Sequence, residues 1–423
     1  MFKKIILKNK LRLILAPIDN SDIVTVLIMV GIGSRYENKK MNGISHFLEH
    51  MFFKGTKKRP TTFEISRELD KIGAEFNAFT GKEATGFYIK TKAKYLDLSL
   101  DILSDILLDS IFNHKEIEKE RGVILEEKKM IEDTPMHYVS DLFESLLYKN
   151  NPLGQLIIGT EKNILNFQQK DFLNYLRNRY VADNIVICIA GDIKKIKKSK
   201  SKVEKYFKKI KKNITKKKRM NILDNQIKPE ILLHYKKIDQ ANFCLGVRTY
   251  GLKDKRLFAL KLLAVILGGN MSSRLFVEVR EKRGMVYYIR TSHETYVDTG
   301  YLVTQGGVDK RNLQESIKII LKEYKKIADK GVSNEELQRA KDYVKGISSI
   351  NLETSDQIAN FLTNQEILLG KILSSEQHFA KIDEVILKDI QNVAKDIFVN
   401  KKLNLVIIGK YKNKKEFEKI LKF

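Results

Sequence analysis

Cysteine is nearly missing from this 423-residue chain: Cys188 and Cys244 are the only two, and they cannot build a disulfide framework. Neither belongs to a Cys-x-x-Cys or Cys/His cluster, and both sit in apolar strand-like runs where a thiol packs as a small hydrophobe. No apolar run approaches the roughly 20 residues a membrane-spanning helix needs. The first 19 residues are basic and apolar, but Lys8, Lys10 and Arg12 interrupt them and no small-residue cleavage site follows. They read instead as two strands, residues 5–7 and 11–15, turning at Asn9-Lys10. A cytoplasmic protein without membrane association is the expectation.

Acidic residues are also short, 52 against 78 Lys and Arg, for a net charge of +26. Much of the excess is local: residues 194–219 hold 14 Lys, 1 Arg and 1 Glu. No aromatic interleaving, helix-turn-helix or zinc-ribbon spacing accompanies them, and Lys outnumbers Arg by 62 to 16 across the chain. This reads as a solvated surface and linker rather than a specific nucleic-acid site. At 423 residues the chain is long enough for two or three domains, and 43% apolar with 9% aromatic residues supplies the core formers for them.

Histidine is scarce too, with 7 in the chain, yet two of them fall in His46-Phe47-Leu48-Glu49-His50. On a helix, His50 lies about 40° around the axis from His46 and Glu49 about 60° to the other side, so the three share one face. His-x-x-Glu-His is a zinc-binding arrangement that carries its own general base. The other five, His114, His137, His234, His293 and His378, lack ligand spacing and are assigned no chemistry.

A catalytic zinc usually takes three protein ligands and leaves a position for water, so a third donor is required. In residues 116–133, Ile117, Ile124 and Ile131 recur every seven residues, and Glu120 and Glu127 fall on the same stripe. A carboxylate on a core-facing stripe needs a cation or a metal. Glu126 is turned about 100° away beside Lys119 and Lys129, so Glu127 is the expected third ligand. Glu120 stands ~10.5 Å earlier along the axis, placed to orient a ligand ring or the water.

These residues resemble a family. The His46 to His50 motif followed by Glu127 is similar to the pitrilysin/insulinase-type zinc peptidases, the inverzincins. Gly31-Ile32-Gly33-Ser34-Arg35-Tyr36-Glu37, Gly43-Ile44-Ser45, Phe52-Phe53-Lys54-Gly55-Thr56, Asn77-Ala78-Phe79-Thr80 and Glu120-Arg121-Gly122-Val123-Ile124-Leu125-Glu126-Glu127 resemble short bacterial members related to the mitochondrial processing peptidase. The resemblance implies one zinc per chain on His46, His50 and Glu127, with Glu49 activating its water. It implies that Asn77, Ala78, Phe79 and Thr80 form an edge strand that binds extended polypeptide. Arg280 and Tyr287 match a pair that contacts substrate near the scissile bond; both can donate hydrogen bonds to an oxyanion. Family members enclose substrate in a chamber between two two-domain halves. This chain is one half, so a homodimer is implied, with Arg280 and Tyr287 acting on the partner's site. Some relatives bind polypeptide without cutting it, and that alternative stays open beside the endopeptidase reading.

The chain also repeats itself weakly. Residues 185–191 and 403–409 are short strands closing on Gly at an offset of 218, and residues 24–37 and 241–254 are strand-like at 217. At that offset His46, Glu49 and His50 map onto Leu263, Ile266 and Leu267. The expected domains are 1–212, with the metal, and 227–423, without it, joined by a basic linker at 213–226. Hairpin-like pairs and adjacent amphipathic helices at 94–108, 115–132, 311–328 and 334–348 point to an α+β fold. The resemblance implies a mainly antiparallel sheet in each domain, covered by helices on one side.

Overall fold

The computed structural model describes residues 2–196, 198–213 and 219–423. Part of the expected linker, residues 214–218, lies outside them. The chain divides into two compact units, each an α+β domain built on one sheet. Among the described residues no helix is long and apolar enough to cross a membrane.

The sheet of the first unit uses β1 (Lys3–Ile6), β2 (Arg12–Ile18), β3 (Ile23–Val30), β4 (Glu75–Thr80), β5 (Thr85–Lys92) and β6 (Ile185–Asp192) in the order β1-β2-β6-β3-β5-β4. Neighbours are antiparallel except β2 and β6. The expected N-terminal hairpin is present, and its turn places Lys10 at φ 75°, where Asn-Gly would be more usual. The second unit uses β7 (Glu230–Tyr235), β8 (Gln240–Thr249), β9 (Val286–Thr295), β10 (Gly300–Asp309) and β11 (Leu403–Gly409) in the order β7-β11-β8-β10-β9. Again one pair, β7 and β11, is parallel. Leaving β1 aside, the two orders superimpose strand for strand, which is the internal repeat expressed as topology.

The central strands are apolar on both faces because helices cover both faces. In the second unit Phe243, Leu245 and Val247 of β8 join Leu403, Leu405 and Ile407 of β11 in one core with the Leu257–Gly268, Leu313–Lys330 and Leu387–Ile397 helices. Cys244, Val406 and Ile408 face the other way, against Tyr138, Val139 and Phe143 of the Pro135–Leu147 helix. The first unit is built alike. There Cys188, Ala190, Leu27 and Met29 meet Ala359 and Leu362 of the Ser355–Leu369 helix. Both thiols are free, buried and pushed well up by desolvation.

These two helices depart from the expected boundaries. The first unit comprises Met1–Lys129, Gln155–Met220 and Ser349–Ser374; the second takes Met130–Gly154, Asn221–Ser348 and Ser375–Phe423. Each half of the chain therefore lends one segment to the other unit, where 1–212 and 227–423 would keep them apart. The helices from a unit's own half cover one face, as expected, and the lent helix covers the second. Polar contacts fix its register: Thr25 shares a 2.8 Å hydroxyl hydrogen bond with Ser355, and buried Glu366 is paired by Lys4 at 2.7 Å and Arg12 at 3.3 Å. A buried carboxylate needs such partners.

Candidate metal centre

The Ile44–Met51 helix starts at Gly43, whose φ is 100° and which offers no side-chain cap. A Cβ there would approach the Ile158 carbonyl oxygen to 2.8 Å, so only glycine fits. Capping comes instead from Glu37, a buried carboxylate that accepts from the backbone N–H groups of Gly43 at 2.7 Å and Ser45 at 2.8 Å and from the Asn42 amide at 3.2 Å. An anion at the helix N-terminus is favourable. Burial nonetheless pushes its carboxyl above the ordinary value, against the pull of those bonds. Phe47 and Phe52 lock the apolar side of the helix, 5.1 Å from Phe172 and 5.0 Å from Phe87 between ring centroids.

The opposite side carries the motif as the spacing predicts. His46 and His50 have ring centroids 4.7 Å apart. The His114–Glu132 helix brings Glu127 between them, one carboxylate oxygen 3.5 Å from His46 Nε2 and the other 3.5 Å from His50 Nε2. Glu126 points to solvent and pairs with Lys129 at 2.6 Å. Donor atoms of His46, His50 and Glu127 lie within 4.8 Å of one another. Donors placed tetrahedrally about 2.05 Å from zinc would be about 3.4 Å apart, so the set fits a zinc ion.

Glu120 completes the arrangement around His50. One of its oxygens lies 2.8 Å from His50 Nδ1 and the other 2.6 Å from Lys54 Nζ. With Nδ1–H donating to the carboxylate, His50 presents the lone pair of Nε2 toward Glu127. Burial alone would raise the Glu120 carboxyl, but the His50 and Lys54 bonds hold it below its ordinary value. Glu127 is also held down, chiefly by His46. The His50 ring is pushed up, because the Glu120 bond and the charges of Glu127 and Glu49 outweigh its desolvation.

Glu49 sits beside the ligand triad and accepts a 2.6 Å hydrogen bond from Thr80 Oγ1. Thr80 ends β4, the edge strand of its sheet, which also carries Asn77, Ala78 and Phe79. The strand was singled out in the sequence for its main chain; the hydroxyl that aims Glu49 was not. Lys54 and Glu37 were missed as well, although Lys54 stands one helical turn after His50, where a partner for Glu120 could be sought.

Arg280 and Tyr287 lie in the second unit, outside this constellation. Arg280 is on a single π-helical stretch, Phe276–Glu281, with its guanidinium 5.1 Å from the Phe276 ring centroid. Tyr287 follows on edge strand β9 and is 70% exposed. Both side chains are therefore accessible. The counterparts of the metal motif, Leu263, Ile266 and Leu267, are buried core residues.

Comparison with known proteins agrees with this division. The model of insulinase (peptidase family M16) matches residues 13–161, and that of the peptidase M16 inactive domain matches residues 166–344. The chain is 34% identical to an uncharacterized zinc protease of Bacillus subtilis, over 94% of this chain and 96% of that protein. It is 34% identical to another from Rickettsia felis, over 93% and 94%. Among solved structures, a protease from Helicobacter pylori shares the fold with a TM-score of 0.88 at 23% identity, covering 97% of this chain and 99% of that one. A chain of Complex III2 from Candida albicans gives 0.83 at 19% identity, covering 100% of both. The zinc protease relatives support a peptidase function in general and zinc as its metal. With His46, Glu49, His50 and Glu127 gathered inside the matched segment, the chain belongs to the insulinase-type peptidase family M16.

Proposed function

We propose that this protein is a zinc-dependent endopeptidase that cleaves extended segments of peptides or unfolded polypeptide. One observation carries the reading: the three donor residues stand beside a carboxylate, Glu49, that belongs to no ligand pair and is held by Thr80. A protein that only binds polypeptide needs no such base. Zinc, one per chain on His46, His50 and Glu127, supplies a Lewis acid that activates water and polarises the scissile carbonyl.

The chain's own residues do the rest. Glu49 keeps its Oε1 for proton transfer, taking a proton from the attacking water and passing it to the leaving amine. Glu120, braced by Lys54, keeps His50 in the tautomer a ligand requires. Substrate adds to β4 as a further strand, so that main-chain bonds give affinity with little sequence demand. At rest Asn77 Oδ1 accepts the Ala78 N–H at 2.8 Å, so a paired substrate carbonyl takes over a donor already engaged. Arg280 and Tyr287 stabilise the developing oxyanion from a partner copy, in a chamber that two chains enclose.

Bound zinc and cleavage of a mixed peptide library, measured for the native chain and for Glu49→Gln, test the core of this. Glu49→Gln should retain its metal and lose at least ~100-fold in cleavage, the usual scale of general-base catalysis. Undiminished cleavage would remove Glu49 from the mechanism, and a native chain that binds zinc and substrate without cutting would select the non-catalytic alternative.

A further inference from the structure

The second unit has no counterpart of the metal motif but carries a cavity at the corresponding helix–strand seam. In the first unit the helix that carries His46 and His50 packs against edge strand β4; in the second, the Leu257–Gly268 helix packs against edge strand β9. At that seam lies a cavity of about 290 Å³, at the small end of ligand pockets. Leu252, Leu257 and Phe258 give it apolar walls, while Lys261, His293 and His378 give it three basic groups.

Lys261 decides the chemistry. It is partly buried one turn after Leu257, and among the described residues it has neither a hydrogen-bond acceptor nor a carboxylate partner. Desolvation holds its ammonium below the ordinary lysine value, and burial, with the Lys261 charge behind it, holds both rings down to about 4. Three basic groups thus line one cavity. Glu294 also borders the cavity, but it alternates to the other face of β9, where its charge acts on Tyr296 and Tyr301. Thr295, on the same face as His293, has a buried hydroxyl without a hydrogen-bond partner. A desolvated cation and an unanswered hydroxyl are unfavourable unless a ligand meets them.

We infer that this cavity is a binding site for a small organic oxyanion, a carboxylate or phosphate monoester on an apolar body. The charged head meets Lys261 and Thr295, with the two imidazoles as further donors, and the body lies against Leu252, Leu257 and Phe258. It is a second site on the metal-free unit, and its presence does not depend on the peptidase reading.

Isothermal titration of the full chain with benzoate and with phenyl phosphate, at constant ionic strength, tests it. At least one probe should bind saturably, and the one that binds tells carboxylate from phosphate. Lys261→Met, which removes an unpaired charge, should weaken that binding at least tenfold while zinc content stays unchanged. In the native chain the ring NMR signals of His293 and His378 should move with the same saturation curve, a readout that needs no variant. The inference is overturned if neither probe saturates, if Lys261→Met binds as tightly as the native chain, or if the ring signals stay still.

Discussion

Two titratable side chains show how neighbours set what a residue does. Glu120 is almost fully buried, and both its oxygens are engaged, one by His50 and one by Lys54. On the proposed reading it holds a ligand rather than being one. Glu120→Gln keeps the shape but loses the charge that favours the Nδ1–H tautomer. Zinc affinity, measured by competition with a chelator, should fall about 10–100-fold, with the fold intact by circular dichroism. His293 illustrates the opposite pressure. Its ring is held down to about 4 by burial and then by Lys261, well below the ordinary 6.5. A base lowered by folding stays neutral in the native state while the unfolded chain takes up its proton. Its contribution is therefore full above about pH 6.5 and is lost as pH falls toward 4, by up to about 3 kcal/mol. Urea unfolding of native and His293→Gln proteins at pH 7 and pH 4.5 checks this: the native chain should lose more stability between the two than the variant does.

At the scale of elements, the exchanged helices make the sharpest prediction. Leu362 is 174 residues from Cys188 and 335 from Leu27 in sequence, yet it packs on both in the unit that holds the candidate metal site. Leu362→Ala should destabilise that unit by about 2–4 kcal/mol through lost transfer energy and a residual cavity. Zinc should be released at a lower temperature in the variant, which metal release during a thermal ramp would show; an unchanged release temperature would argue against the exchange. This feature was not legible in the sequence. Apolar periodicity says that a helix is buried but not against which sheet, so residues 130–154 and 349–374 were assigned to the halves in which they occur. Helices with strong periodicity were legible: those expected at 94–108, 115–132, 311–328 and 334–348 are observed at Leu96–Asp109, His114–Glu132, Leu313–Lys330 and Asn334–Asn351. The grouping of His46, His50 and Glu127 was legible for the same reason. His46, Glu49 and His50 declare a shared face by spacing, and Glu127 is separated from Glu126 by the stripe it occupies. Thr80, Lys54 and Glu37 were not, because their roles come from contacts between elements that no local period encodes.

On the scale of the whole molecule, duplication followed by divergence explains the division of labour. Both units keep one strand order and one parallel pair, but only the first has His46, Glu49 and His50 where the second has Leu263, Ile266 and Leu267. The second unit instead presents Arg280 and Tyr287, exposed on a π-helical stretch and an edge strand. A π-helical stretch is a common mark of function, and a large phenol left 70% exposed on a strand has little packing purpose. In the family that the sequence resembles, this pair serves the zinc of the opposite half, and here the opposite half would be a second copy. The proposed dimer then has a definite genetic consequence. His50→Ala lacks a ligand but has a sound Arg280, and Arg280→Ala has a sound metal site but no guanidinium. Each homodimer should be inactive, whereas a mixed dimer contains one site with both parts. Random exchange should place half the dimers in that mixed state, each with one working site of two, so the mixture should recover about a quarter of the native cleavage rate. Recovery near that level would place Arg280 in trans. If exchange is confirmed by mass-tagged subunits and no activity returns, the pair does not act across a dimer, and each chain must complete its own site.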